Sequence, residues 1–165
     1  MKKACVDAVV AGLKEAGVTF ISYLSDTWLK EVYERVTRDP HFRVVAATNE
    51  GEGVGICAGA WLSGLRSAMI MENSGLRVAT EPLARLGLTH GIPVLLLMSF
   101  RGDLGDQNWW SQPHGLTMEP LLRALRIPYR VIRDPGEIRP AIVKAQRTLD
   151  ATRYHAAVVF GEDLI

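Results

Sequence analysis

Short apolar runs alternate with longer amphipathic segments along the whole chain, and this alternation limits the folds that the chain can adopt. The runs are rich in Val, Ile, Leu and Met, which is typical of strands that are buried on both faces. We predict six strands, at residues 18–24, 42–48, 67–71, 92–98, 129–132 and 156–160. Helices are predicted at residues 3–16, 25–38, 74–88, 116–126 and 136–150, and in the Gly- and Ala-rich segment after Asn49. This order predicts an α/β fold with three α/β/α layers and a six-stranded parallel sheet.

Length and charge narrow the class of protein further. A chain of 165 residues with 48% hydrophobic residues can bury one ordinary core, so we expect a single domain, residues 1–165. The formal net charge of +1 gives no electrostatic reason to expect nucleic acid or a membrane surface as partner. Cys5 and Cys57 lie in apolar helical patterns without disulfide or metal spacing, and no signal peptide or transmembrane run is evident. We therefore expect a cytoplasmic protein.

The junction between the second predicted strand and the following helix, Thr48–Ala60, combines carboxylates with glycines. Asn49 and Glu52 have the spacing of a capping box, in which the Asn caps the helix and the Glu reaches back to the Asn49 N–H. This assigns Glu52 a structural role and leaves Glu50 without one. Ligands of open parallel sheets bind beyond the carboxyl ends of the strands, so Glu50 is expected to face a cleft.

Glycines in the same helix form a stripe. Gly51, Gly55 and Gly59 recur at every fourth residue and so share one face. Each glycine costs helix stability, which suggests that another helix or a ligand packs closely against the bare backbone. A tight helix contact within the domain is the alternative.

Three further loops carry polar residues to the same predicted edge of the sheet. They are Ser25-Asp26-Thr27, Glu72-Asn73-Ser74-Gly75 and Ser99-Phe100-Arg101-Gly102-Asp103. Loops at this edge are where α/β proteins build their sites, and a glycine there lets a ligand come close. The polar residues before the two helices could equally be helix caps.

Two candidates lie in the long loop predicted for residues 99–115. Arg101 follows a buried strand and could hold an anionic substrate, or it could form a surface ion pair with Asp103 or Asp106. His114 is a candidate acid or base because histidine titrates near neutral pH, although a loop histidine can be incidental. The adjacent pair Trp109-Trp110 indicates a lid or a docking surface.

Three motifs, in this order, suggest a family. They are Asn49-Glu50-Gly51-Glu52-Gly53-Val54-Gly55-Ile56-Cys57-Ala58-Gly59-Ala60, Met71-Glu72-Asn73-Ser74-Gly75-Leu76 and Ser99-Phe100-Arg101-Gly102-Asp103-Leu104. Over nearly its full length the chain resembles the alpha, or pyrimidine-binding, subunits of split thiamine diphosphate-dependent 2-oxoacid decarboxylases. Within that group it is most similar to the sulfopyruvate decarboxylases, to which phosphonopyruvate decarboxylase is related.

The resemblance implies a role for each candidate. Glu50 corresponds to the glutamate that hydrogen-bonds the aminopyrimidine of thiamine diphosphate and so promotes loss of the thiazolium proton. Next to it, Asn73, Ser74 and Gly75 are expected to contact the cofactor. We expect the substrate to contact four residues, Ser25, Asp26, Arg101 and His114. The implied reaction converts a small anionic 2-oxoacid, such as sulfopyruvate or phosphonopyruvate, to an aldehyde and CO2.

The resemblance also implies that part of the enzyme lies on another chain. The family binds the diphosphate and Mg²⁺ through a Gly-Asp-Gly stretch and paired asparagines, and neither motif occurs here. We expect a beta subunit to carry that domain, no metal ligand in this chain, a hetero-oligomer, and the glycine stripe at the shared interface. Related chains have Gln-Asn-Ser-Gly-Leu-Gly-Asn where this one has Glu72–Val78, so Glu72 would repel a sulfonate or phosphonate unless Arg77 or Arg101 neutralises it.

Two other functions remain open from the sequence. One is a 2-oxoacid carboligase subunit of the acetolactate synthase type, which would use the same cofactor to join two 2-oxoacids. The other is a non-catalytic binding module with a flavodoxin-like fold, although the chain lacks a glycine-rich phosphate loop after its first strand.

Overall fold

A computed structural model describes all residues, 1–165, and its core is a six-stranded parallel sheet. The strands are β1 (Phe20–Tyr23), β2 (Arg43–Ala46), β3 (Ser67–Glu72), β4 (Leu95–Ser99), β5 (Tyr129–Ile132) and β6 (Ala156–Phe160). Their order across the sheet is β2-β1-β3-β4-β6-β5 and every neighbouring pair is parallel. The predicted fold class is confirmed.

Helices cover both faces of the sheet. They are α1 (Lys3–Glu15), α2 (Lys30–Arg38), α3 (Glu50–Leu62), α4 (Gly75–Leu83), α5 (Gln112–Ala124) and α6 (Pro135–Thr152). One apolar cluster joins α1, α2 and α6 to one face, where Ala68 and Ile70 of β3 point. A second cluster joins α3, α4 and α5 to the other face, where Met69 and Met71 point. Alternate residues of one strand thus enter different clusters, as the period-two geometry of a strand requires.

Several predicted elements differ in the structure. The helix predicted at 25–38 is a 3-10 turn, Thr27–Leu29, followed by α2, and the strand predicted at 92–98 begins at Leu95. The second strand was predicted to be buried, but β2 lies at the edge of the sheet and none of its four residues is buried. The helix predicted at 74–88 is α4 followed by a π-helical turn, Ala84–Thr89. The helix predicted from Leu116 begins at Gln112, because Pro113 occupies a first-turn position that favours helix initiation.

The strand order places a crevice beside β1. The chain leaves β1 to form β2 on one side and later returns to form β3 on the other, so the direction of winding reverses between β1 and β3. Open parallel sheets bind ligands outside the carboxyl ends of the strands at such a reversal. A binding site is therefore expected among the residues that follow β1 and β3.

Two further features concern the cysteines and the helices. Cys5 and Cys57 are both buried and unpaired, at positions packed into the two apolar clusters. None of the helices combines the length and the apolar character needed to cross a lipid bilayer.

Candidate functional site

Glu50 is the first residue of α3, and its side chain is half-buried against the start of α4. A β-carbon at Gly75 would lie 2.2 Å from Glu50 Cγ and 2.6 Å from Oε1, so only glycine permits this contact. No hydrogen bond or ion pair within the chain engages the Glu50 carboxylate, which lies in the first turn of α3. The group is thus a carboxylate held in place by packing, with its oxygens available to a ligand.

The neighbouring residues of α3 have the structural role that the capping box predicted, with one correction. Asn49 Oδ1 accepts a hydrogen bond from the Glu52 N–H at 2.9 Å, which caps the helix. Glu52, however, does not reach back to the Asn49 N–H. Its Oε2 accepts from the N–H and the hydroxyl of Thr48, both at 2.6 Å. The two glutamates of one turn therefore differ: Glu52 is used within the chain and Glu50 is not.

The glycine stripe of α3 divides into two parts. Gly51 packs inside the domain, since a β-carbon there would lie 3.5 Å from Pro82 Cγ. Gly55 and Gly59 are exposed, and a β-carbon on either would meet nothing within 4 Å. Leu62, on the same face, is 65% exposed. The intradomain alternative thus holds for Gly51 alone, and the rest of the face is open.

Asn73 joins the loop after β3 to the loop after β4. Its side chain is buried, donates from Nδ2 to the Arg101 carbonyl at 2.9 Å and accepts at Oδ1 from the Arg101 N–H at 3.0 Å. Neither Asn73 nor Ser74 caps α4 with its side chain, so the helix-cap alternative is wrong for both. The clamp aligns the two loops that carry Gly75 and Arg101.

Asp26 lies after β1, beside the crevice, while its neighbour Ser25 is exposed. Asp26 Oδ1 accepts from the Trp28 N–H at 3.1 Å, which confirms the predicted cap, here of a 3-10 turn at Thr27–Leu29. Asp26 Oδ2 and the Ser99 hydroxyl are buried and have no hydrogen-bond partner. Burial raises the pKa of Asp26, against the opposing effects of the nearby Ser99 hydroxyl and the Trp28 N–H. Asp26 and the Ser99 hydroxyl thus lie near each other, buried at the carboxyl edge of the sheet.

Arg101 is buried, with only 3% of its surface exposed. Its guanidinium carbon lies 4.3 Å from the ring centroid of Trp28 and 4.5 Å from that of Trp110, and its Nε donates to Asp106 Oδ2 at 3.1 Å. The sequence left open an ion pair with Asp103 or Asp106. The partner is Asp106, and the pair is buried rather than on the surface.

His114 lies in the first turn of α5 rather than in a loop, between Arg77 and Glu72. Its Nδ1 is 2.7 Å from Arg77 Nη2, and its Nε2 is 3.7 Å from Glu72 Oε1. Burial lowers the pKa of His114; the Glu72 charge opposes this shift and the Arg77 charge adds to it. The ring is thus fixed between a cation and an anion.

The structure places every predicted site residue at the carboxyl edge of the sheet or in the helix turn that follows. Direct contacts join Glu50 to Gly75 and Asn73 to Arg101, whereas Ser25 makes no such contact. The sequence did not reveal the role of Trp28, whose indole ring stacks on the Arg101 guanidinium. It also missed that Arg77 and Glu72 flank His114. The available signal for Trp28 was its place in the sequence, two residues after Asp26 and close to the end of a predicted strand.

The donor set suits an organic ligand better than a metal. No group of three or more His, Cys, Asp or Glu side chains converges to hold a metal ion. By contrast, the Glu50 carboxylate lacks a partner, and a glycine backbone lies against it at Gly75. The N–H group of an organic ligand would fit such an acceptor.

Comparisons with known proteins support the resemblance found in the sequence, although no protein-family model matches the chain. The sulfopyruvate decarboxylase subunit alpha of Methanothermobacter thermautotrophicus is 38% identical over 142 residues, 86% of this chain and 86% of that protein. The same subunit of Methanocaldococcus jannaschii is 34% identical over 153 residues, 93% of this chain and 90% of that protein. Phosphonopyruvate decarboxylase of Streptomyces viridochromogenes is 37% identical over 100 residues, 61% of this chain but 25% of that protein.

A solved structure shares the fold. The 2-oxoglutarate:ferredoxin oxidoreductase from Magnetococcus marinus superposes with a TM-score of 0.73 over 97% of this chain and 29% of its own. Sequence identity is 15%, so the match bears on the fold alone.

Proposed function

Because the chain belongs to the family of sulfopyruvate decarboxylase alpha subunits, we propose that it is one subunit of a thiamine diphosphate-dependent 2-oxoacid decarboxylase. Its relatives are named for sulfopyruvate and phosphonopyruvate, so the proposed substrate is a small 2-oxoacid with a second acidic group. The proposed products are the corresponding aldehyde and CO2.

One observation carries this proposal: the unpaired carboxylate of Glu50, packed on Gly75 at the carboxyl edge of the sheet. In the proposed site this carboxylate accepts a hydrogen bond from the aminopyrimidine of the cofactor. When bound, thiamine diphosphate supplies the carbon nucleophile and the electron sink for decarboxylation. Glu50 would polarise the aminopyrimidine through this hydrogen bond, and burial by a partner would strengthen the interaction by excluding water.

Other residues line the site in this proposal. Ser74 and Gly75 bring backbone close to the cofactor, and Asn73 holds their loop against Arg101. Asp26, with a free buried oxygen, and Ser25, exposed next to it, face the substrate side together with His114. Arg101, paired with Asp106 and covered by two indole rings, would support the loop beside the substrate rather than contact the substrate itself.

The partner is proposed to be a beta subunit that binds the diphosphate and Mg²⁺. The relatives of this chain are named as alpha subunits, which supports a second chain. The exposed face of Gly55, Gly59 and Leu62 is the proposed contact, because close approach to bare helix backbone is what a glycine stripe allows.

Replacing Gly59 by Ala should affect the stability of the isolated chain and its affinity for the partner in opposite directions. In the isolated chain the new methyl group meets nothing, so the unfolding free energy should rise by about 0.5–1 kcal/mol through helix propensity. In the complex the same methyl group should push the partner away and weaken binding about tenfold or more, by the cost of overpacking. Urea unfolding and titration calorimetry with the beta subunit measure the two effects. Unchanged affinity would place the interface elsewhere.

The proposed function is tested by reconstitution. Mixing the chain with its candidate beta subunit, thiamine diphosphate and Mg²⁺ should release CO2 from a 2-oxoacid, and neither chain alone should do so. Product analysis separates an aldehyde from the coupled product of a carboligase. No turnover of any 2-oxoacid by the assembled complex would refute the proposal.

A further inference from the structure

Glu72, Arg77 and His114 form a connected set next to the proposed site, here called the Arg77 cluster. A guanidinium only donates hydrogen bonds, so His114 Nδ1 accepts from Arg77 Nη2 at 2.7 Å. The ring proton is therefore on Nε2, which faces Glu72 Oε1 at 3.7 Å. The side chains of His114 and Glu72 are largely buried, 14% and 20% exposed, while Arg77 is exposed. The histidine thus holds one end of an exposed guanidinium whose other donors have no partner within the chain.

The two arginines near the site differ in how their charge is used. Arg101 is paired with Asp106 and enclosed by two indole rings, so most of its charge is already balanced. Arg77 forms no ion pair, and its hydrogen-bond partner is an imidazole rather than a carboxylate. Of the two, Arg77 is the cation with capacity left for an anion.

Its position is also suitable. Arg77 follows Gly75, which touches Glu50, by two residues, and two residues turn a helix by about 200°. Arg77 therefore lies on the side of α4 away from Glu50, where His114 binds its guanidinium. On that side the cluster adjoins the proposed substrate residues, because the His114 ring lies 6.0 Å from that of Trp110, which covers the Arg101 guanidinium at 4.5 Å.

We propose that Arg77, held in place by His114, binds the second acidic group of the substrate, and that the Glu72 carboxylate limits how much negative charge the site accepts. This inference rests on the proposed decarboxylase function and adds the residues that select the substrate. It predicts that the enzyme prefers 2-oxoacids with a second, negatively charged group over those without one.

The test compares sulfopyruvate with pyruvate, which lacks the second acid, in the reconstituted complex. Arg77→Gln should lower kcat/KM for sulfopyruvate about 10- to 50-fold, mostly through KM, since one favourable charge interaction is lost. For pyruvate, kcat/KM should change less than about threefold, because pyruvate has no second acidic group for Arg77 to bind. Glu72→Gln should raise kcat/KM for sulfopyruvate about fivefold by removing a repulsion.

Two further variants serve as controls. Arg85→Gln removes another exposed arginine nearby in sequence, which is paired with Glu81. This variant should leave kcat/KM unchanged for both substrates. His114→Gln keeps a hydrogen-bond acceptor for Arg77 and should retain more sulfopyruvate selectivity than His114→Phe, which has none. An equal loss for both substrates in Arg77→Gln, or a loss of sulfopyruvate activity in Glu72→Gln, would overturn the assignment.

Equilibrium binding keeps the inference testable apart from turnover. The unreactive diacid 3-sulfopropanoate should bind the complex about tenfold more weakly when Arg77 is replaced by Gln, as measured by calorimetry. Arg77-dependent binding without CO2 release would uphold the cluster and refute the decarboxylase proposal. CO2 release together with binding that does not depend on Arg77 would uphold the decarboxylase proposal and refute the role of Arg77.

Discussion

Glu50→Gln should reduce CO2 release by the reconstituted complex about 10²- to 10³-fold, the range for a lost proton-transfer group. Glutamine preserves the size of the side chain and its packing on Gly75, but it removes the negative charge that would accept the hydrogen bond from the aminopyrimidine. Cofactor affinity, followed by fluorescence quenching, should change far less than the rate. The variant should fold normally, since no hydrogen bond within the chain is lost.

Glu52 provides the matched control within the same helical turn. Its carboxylate is engaged by Thr48, which lowers the pKa of Glu52 through those hydrogen bonds. Glu52→Gln should therefore keep activity within about threefold of the wild type, since the lost cap interactions affect stability rather than proton transfer. If Glu50→Gln retained more than a tenth of the activity, or if both variants lost it equally, Glu50 would not be the activating group.

Asp106→Asn should lower the unfolding free energy of the chain by about 3–5 kcal/mol, the cost of leaving a buried charge without its partner. Asp106 Oδ2 accepts from Arg101 Nε and from the Gly102 N–H, at 3.1 and 3.0 Å. In the variant, Arg101 stays buried between two indole rings without a counter-charge. Urea unfolding at pH 7 measures the loss.

Two comparisons identify the cause of this loss. Glu81→Gln breaks an exposed ion pair with Arg85 and should cost under about 1 kcal/mol. Combining Asp106→Asn with Arg101→Met removes both charges and should recover part of the stability. An Asp106→Asn chain as stable as the Glu81→Gln chain would show that the buried pair contributes little.

The pH dependence has a defined sign. Burial tends to raise the pKa of Asp106, but the N–H donors of Gly102 and Asn108 outweigh burial and hold that pKa well below its usual range. The stabilisation is therefore complete above the ordinary Asp pKa of about 3.9 and is lost as the pH falls below it. The stability difference between wild type and Asp106→Asn should shrink over that acidic range.

Some of the site was predictable because it depends on local patterns. The spacing of Asn49 and Glu52 predicted the cap, and the absence of a local role for Glu50 singled it out. Asp26 was predictable as a cap for the same reason. The clamp from Asn73 to Arg101 was not, because it joins residues 28 positions apart that meet only when β3 and β4 pair.

The sequence by itself determined the α/β class, the parallel sheet and the position of Glu50 at a strand-to-helix junction, because periodicity and capping act over a few neighbouring residues. Only the tertiary structure decided that β2 is an exposed edge strand, since strand order depends on pairing between distant segments. It also decided that Arg101 is enclosed by Trp28, Trp110 and Asp106 while Arg77 stays exposed. Whether an arginine is buried and paired depends on side chains from separate loops, and no local pattern encodes their meeting.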